Sequence, residues 1–439
     1  MRKIVLALML VAGVSAHAQQ KTSNYAQQMT QSQAKDWTMR KPWDYVAGLV
    51  SKSVLKATEQ YPNQEWTDSA YVWAKAYADL AINEDGTFKD FKKGNIDNIA
   101  SGKVLFELYR HEAALDAKNG THNADRYLKA ADWLHTYLVL SYPRIKKGDA
   151  KGGFFHKEIY PNQMWLDGLY MGAAFYAEWL ANRDPKNYSA WSDVANQFVI
   201  INNHTYNPLT GLNYHAWSAD PTDENSFWAR QEGAFKGCSQ EYWGRGMGWF
   251  FASLIDVLEV MPKDHEDFVV LQRIAQQVAA GLKNWQDEES GCWYQLLQYD
   301  ASFTSKCDAH NYLESSASSM FTYAYLKGIR IGVLPKIAYM QTAVKAYEGL
   351  IKTFISTNED GTINLNNTCR SAGLGPAKDP SRDGTADYYL CGKDITMVSN
   401  EGKAIGPFIM ASLEYETYLK EQNAPKPAPR KKVVQRRRK

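Results

Sequence analysis

Residues 241–284 read EYWGRGMGWFFASLIDVLEVMPKDHEDFVVLQRIAQQVAAGLKN. Met247, Phe250, Phe251, Leu254, Ile255 and Leu258 recur at three- and four-residue spacing, and so do Phe268, Leu271, Ile274, Val278 and Leu282. That period belongs to a helix with one buried stripe and not to a strand, which alternates every second residue. The short Pro262 segment between the two windows folds them into an α-hairpin.

Working outward, the same period predicts helices near 42–60, 66–82, 97–117, 123–140, 163–182, 188–203, 241–260, 265–284, 311–331, 336–355 and 400–421. Successive pairs make hairpins with a short loop at one end and a long loop at the other. The long loops, 142–162, 204–240, 285–310 and 356–399, fall at every other connection, so they gather on one side. Six such hairpins closing on themselves give an all-α fold, an (α/α)6 barrel with a loop-lined mouth, where loops of that length are more often functional than idle. Short hairpins or edge strands are confined to 357–367 and 211–217. An open α-solenoid is the rival, but no repeat of 34–47 residues supports it.

The chain has 439 residues, 45% hydrophobic and 22% charged, which excludes wholesale disorder and a polytopic membrane protein. Aromatic residues reach 13%, a surplus that suits a cleft whose walls stack on sugar rings. The ten basic residues at Arg2, Lys3, Lys426, Arg430 to Lys432 and Arg436 to Lys439 outweigh the formal charge of +2, so the body between them is acidic. Positive charge confined to a Pro-rich tail, 423–439, argues against a nucleic-acid partner. Residues 1–18, with Arg2 and Lys3, an apolar run and Ala16-His17-Ala18, read as a secretory signal, so an exported chain, periplasmic or extracellular, without integral membrane association is expected. The barrel is then assigned to 37–422. Five cysteines show no CxxC spacing; Cys369 with Cys391 is the expected bridge, with buried thiols the alternative.

The densest chemistry lies in HKEIYPNQMWLDGLYM, His156 to Met171. Asp167 falls in a first helical turn near the mouth, where the helix dipole favours a carboxylate and a plain cap is the ordinary reading. Met164, Trp165, Leu166 and Tyr170 would surround it with apolar atoms and hold it un-ionised, as a proton donor requires. A second carboxylate, Asp97, opens another helix and could raise Asp167 by repulsion. In WGRGMGW, Trp243 to Trp249, three glycines would cost a helix about 1 kcal/mol each, which points to close approach by a ligand or a neighbour. Arg245 between Trp243 and Trp249 offers a carboxylate fork, or else a structural pair. His215 stands in YHAW, bounded by aromatics. Metal-ligand spacing, GxSxG, P-loop and GxGxxG are all missing, so neither a metal nor an organic cofactor is expected.

At these residues, from about Trp37 to Leu419, the chain resembles glycoside hydrolase family 105, the unsaturated rhamnogalacturonyl hydrolases, and the related family 88 of unsaturated glucuronyl hydrolases. The resemblance rests on His156 eleven residues before Asp167, on YHAW, on WGRGMGW and on NYLESSASSMF, Asn311 to Phe321. It implies an (α/α)6 barrel that removes a 4,5-unsaturated uronic acid from the non-reducing end of lyase-generated oligosaccharides, here rhamnogalacturonan-derived. Asp167 would protonate C4 of the vinyl ether while water adds at C5, and Asp97 would hold the donor and the sugar hydroxyls. His156, Trp165, His215, Arg245 and Trp249 would line the subsite. Two departures stand out: a longer segment between Asp97 and His156, and the basic tail. The rivals are a helical-barrel lyase or epimerase and a non-catalytic glycan-binding protein.

Overall fold

The computed structural model describes residues 24–34 and 41–424; the expected signal segment and most of the basic tail lie outside them. Among the described residues, twelve helices longer than two turns alternate between an outer and an inner ring. The inner ring is α2 (Tyr45–Gln60), α4 (Lys103–Asn119), α6 (Ala174–Arg183), α8 (Gly244–Val260), α10 (Ser315–Arg330) and α12 (Gly402–Asn423). Each packs on the next, and α12 packs back on α2. The ring is closed, so the barrel reading holds and the solenoid does not.

The outer partners are α1 (Tyr25–Gln33), α3 (Thr67–Ala81), α5 (Asp125–Leu140), α7 (Tyr188–Thr205), α9 (Glu266–Asn284) and α11 (Lys336–Phe354). The helix that the periodicity missed is α1. Its sequence, YAQQMTQSQ, buries only Ala26, Met29 and Thr30, too thin a stripe to register. It packs on α12, with Tyr25 edge-on to Phe408 at 6.4 Å, and completes the sixth hairpin from N-terminal of the expected boundary at 37.

Inner helices run into their outer partners through short turns, whereas outer helices return through long loops. All those loops therefore gather at the N-terminal ends of the inner ring. Four two-stranded ribbons stiffen them: β1 (Gln163–Trp165) with β4 (Ala216–Ser218), β2 (Tyr206–Asn207) with β3 (Leu212–Asn213), β5 (Ile355–Thr357) with β6 (Ile363–Leu365), and β7 (Thr368–Cys369) with β8 (Met397–Val398). The windows 211–217 and 357–367 do contain strands. The window 163–182 opens as a strand instead of a helix, because β1 finds its partner fifty residues along the chain, out of reach of any local period.

The aromatic surplus goes mainly into packing. Trp191, Trp228, Trp243, Trp249 and Trp293 are each less than 2% exposed. At about 1.5–3 kcal/mol per large apolar side chain, such burial offsets part of the entropy lost in ordering the chain. The mouth loops have a small apolar core of their own, from Tyr160, Trp165, Trp228, Trp243, Leu296, Leu374, Tyr388 and Tyr389. The bridge joins Cys307 to Cys391, and Cys369 is a buried free thiol, so the expected Cys369–Cys391 pair is corrected. Which thiols meet depends on where two loops land, and spacing along the chain does not carry that. No described helix is long and apolar enough to cross a membrane.

Candidate active site

Local pairing explains why distant motif residues meet at the mouth. The β1–β4 register sets Trp165 opposite Ala216, and the Leu166 amide donates to the His215 carbonyl at 3.0 Å, so His215 arrives beside Asp167. His156 is brought in by its amide, which donates to the Gln163 carbonyl at 2.8 Å. An isolated bridge between Asn95 and Lys157 then lays the Asp97 turn against the same strand. Two glycines permit the approach. A Cβ at Gly172 would stand 2.5 Å from Ile96, next to Asp97, and one at Gly246 would stand 3.1 Å from the His215 ring.

Asp167 lies in the first turn of the run leading into α6, as its position in the motif predicts. A π-turn, Leu169–Ala173, follows at once, a widening often found where a helix carries function. Asp167 Oδ2 is 3.0 Å from His215 Nε2, and His215 Nδ1 is 2.6 Å from the Tyr389 hydroxyl. Trp165 meets His215 edge-on at 5.4 Å and Trp243 tilts against it at 4.6 Å. The carboxyl and the imidazole are both buried.

Burial pushes the Asp167 carboxyl up, but the charge and hydrogen bond of His215, with His156 behind it, outweigh burial and leave it below the usual carboxylate range. The expectation of an acid held un-ionised is thus overturned for the free protein. The apolar wall was read correctly from the sequence, whereas the histidine that overrides it comes from another loop.

Asp97 is mostly buried, with Lys157 Nζ at 3.1 Å from Oδ2 and His156 Nε2 at 3.8 Å from Oδ1. Burial pulls His156 down to about 4 against the pull of Asp97, so it is neutral near pH 7 and its contact with Asp97 is not an ion pair there. Burial also works against the Lys157 ammonium, yet Asp97 raises it overall. His156 stacks on Trp165 at 4.2 Å, and Tyr160 stacks on Trp165 at 5.3 Å. The Tyr45 phenol stands within the fields of Asp97, Arg245 and Asp167, and burial, then Asp97, raise it.

Arg245 and Trp249 are placed more deeply than the sequence suggests, and each is 1% exposed. Arg245 donates to the Cys369 carbonyl and to Ser316 Oγ (3.3 Å), lies 3.8 Å from Glu314, and sits 4.7 Å over the Trp243 ring. Its fork is largely taken by this structural pairing, leaving Nε buried with no partner among the described residues. Trp249 packs on Tyr170 at 4.6 Å as wall beneath the site instead of an open platform. Trp243 donates to Gln295 Oε1 at 3.2 Å.

Sequence reasoning missed Tyr389, Tyr45, Lys157 and Glu314. Glu314 caps α10, accepting from the Ala317 amide at 2.7 Å and the Cys369 amide at 2.9 Å. The signal for Glu314 was present in NYLESS, a carboxylate just ahead of a helical period. Lys157 adjoins His156 in the quoted motif. Tyr389 sits in a six-residue helix inside what reads as loop, and nothing local marks it. Among the described residues, no cluster of three or more His, Cys, Asp or Glu side chains is arranged to hold a metal ion.

The sequence pattern of Glycosyl Hydrolase Family 88 matches residues 17–419. A glycoside hydrolase of family 105 from C. acetobutylicum ATCC 824 has a solved structure 38% identical in sequence, superposing with a TM-score of 0.76 over 90% of this chain and 99% of that one. The unsaturated rhamnogalacturonyl hydrolase YesR of Bacillus subtilis is 26% identical over 278 residues, covering 63% of this chain and 68% of YesR. The unsaturated glucuronyl hydrolase of Bacillus sp. GL1, 14% identical with a TM-score of 0.58 over 90% of this chain and 96% of that one, shares the fold.

Proposed function

Because the chain belongs to glycosyl hydrolase family 88, we propose that it removes a 4,5-unsaturated uronic acid from the non-reducing end of oligosaccharides left by polysaccharide lyases. The observation that carries this reading is one carboxyl, Asp167, held through Oδ2 by His215 at the mouth. Asp97, His156 and Lys157 form the adjoining wall and Arg245 supplies positive charge from behind. The second carboxylate of the site, Asp97, is paired with Lys157, so the proton transfer is given to Asp167.

In the proposed reaction Asp167 Oδ1 gives its proton to C4. The C4–C5 π pair forms the new C–H bond, and the ring-oxygen lone pair supports the cation at C5. Water attacks C5 and returns a proton to Asp167. The hemiketal opens with cleavage of the bond between C5 and the ring oxygen, and the hemiacetal left at C1 releases the aglycone. Since Asp167 is ionised in the free protein at neutral pH, it takes up its proton as substrate binds: the incoming uronate and the expelled water both raise it.

The rhamnogalacturonan origin of the substrate is supported by the likeness to YesR, and export by the pattern of Arg2 to Ala18. A panel of lyase-generated disaccharides tests the function. The ultraviolet absorbance of the conjugated uronate should fall on turnover, whereas a lyase would raise it and an epimerase or a binding protein would leave it constant.

A further inference from the structure

Tyr389 belongs to the helix Ala386–Cys391 in the loop between α11 and α12. Its ring is fully buried, stacks near Trp243 at 6.0 Å, and its carbonyl accepts from Gln295 Nε2 at 3.1 Å. The hydroxyl lies 2.6 Å from His215 Nδ1, and the opposite ring nitrogen lies 3.0 Å from Asp167 Oδ2. Burial raises the phenol well above its ordinary range, so it keeps its hydrogen at any working pH. Among the described residues, the His215 ring is the hydrogen-bond partner of that hydroxyl. In the neutral imidazole the phenol hydrogen therefore goes to Nδ1, which places the ring hydrogen on Nε2, pointing at Asp167.

A six-residue helix does not hold itself in place. Two residues beyond Tyr389, Cys391 is bonded to Cys307 in the loop between α9 and α10. The Lys306 amide donates to Asp387 Oδ1 at 2.7 Å, and Ser305 Oγ lies 3.1 Å from Cys391 Sγ. The bridge thus ties two mouth loops from different hairpins together at the helix that carries Tyr389.

We infer that Tyr389 is a positioning residue that fixes the Nε2–H tautomer of His215 against Asp167, and that the Cys307–Cys391 bridge holds Tyr389 there. The geometry stands by itself; the kinetic consequence rests on the function proposed above. The charged and titratable groups around the chain are Asp167 and His156 on one side of His215, and Glu241, Arg382 and Tyr388 around Tyr389.

The test uses the full-length protein with 15N-labelled histidine, since ring-nitrogen shifts report the tautomer without substrate. His215 should carry its hydrogen on Nε2 in the native protein, and Tyr389→Phe, which leaves only the Asp167 carboxylate to favour that form, should raise the share protonated on Nδ1. With a uronyl disaccharide, Tyr389→Phe should lower kcat at least about tenfold with KM within about twofold. It should also move the inflection of kcat/KM to higher pH, because Asp167 loses the donor that favours its anion. Reduction of the native bridge with dithiothreitol, and Cys391→Ser, should change kcat and inflection in the same direction. A native His215 protonated on Nδ1, or a Tyr389→Phe protein with native kcat and inflection, overturns the role of Tyr389. A reduced protein with native rate and inflection overturns the tether, and that arm needs no variant to fold. If the native protein turns over no unsaturated uronate, the proposed function fails while the nitrogen shifts still decide the tautomer.

Discussion

The two ends of the barrel both bury charge, and they bury it differently. At the C-terminal ends of the inner helices, Lys327 Nζ stands 2.7 Å from both Asp256 and Glu259, Tyr323 donates to Asp256 at 2.6 Å, and Arg330 binds Glu414 at 2.7 Å. Burial works against Asp256 and Lys327, yet each partner overrides it, so Asp256 falls and Lys327 rises well above its ordinary range. At the mouth, His156 Nδ1 and Arg245 Nε are buried without partners among the described residues, and Asp167 answers to one histidine. A shifted pKa marks both ends, so by itself it does not find a site. Incomplete pairing separates the cluster around Asp167, which can still bind something, from the Lys327, Asp256 and Glu259 cluster, whose charges are matched.

The comparison predicts that substitutions at the mouth change turnover and those at the floor change stability. The largest effect belongs to Asp167→Asn, which should lower kcat by about 10²- to 10⁴-fold while ligand affinity stays near native and the melting transition falls only by the contribution of the depressed carboxyl. Steady-state kinetics with calorimetric binding checks it. The pH signs at this residue oppose each other. Its depressed carboxyl stabilises the fold above the ordinary carboxylate range, and that contribution is lost as pH falls through the folded value. By contrast, kcat/KM should fall as pH climbs above that value, because the donor form becomes scarcer.

Next in size is Lys327→Met, which strands Asp256 and leaves Glu259 to Arg330 alone, and should cost about 3–5 kcal/mol in a denaturant titration. The folded fraction should keep its native kcat; a loss of kcat with native stability would erase the distinction between the two ends.

The smallest effect is expected between them. Lys103 is buried, donates to the Tyr170 carbonyl at 2.9 Å, and burial lowers it to about 7. A lysine whose folded pKa is depressed costs most when pH is low enough to charge it in the folded state, and that cost shrinks as pH rises toward the unfolded value. Lys103→Met should therefore stabilise the protein by about 1–3 kcal/mol at pH 6, with the gain fading toward pH 10. Melting curves at the two pH values would show it.

The barrel was legible because its six hairpins repeat one strong period over long windows. Elements held by distant partners were not: α1 depends on α12, and β1 on β4. The site was legible as far as its residues lie in compact motifs, and Asp97, His156, Asp167 and His215 do converge. Tyr389 and the Cys307 bridge escaped because two loops bring them together in space, with no local pattern to announce it. The ionisation of Asp167 was misjudged for the same reason: its apolar wall is local in sequence, while the deciding histidine comes from another loop.

The central claim is that Asp167 delivers a proton to C4 of an unsaturated uronate, and the product formed in D2O tests it most directly. NMR within the first turnovers should find one deuterium at C4, on a single face of the sugar carbon. Deuterium spread equally over both faces would mean that the double bond left the enzyme intact and rearranged in solution, which would contradict the account.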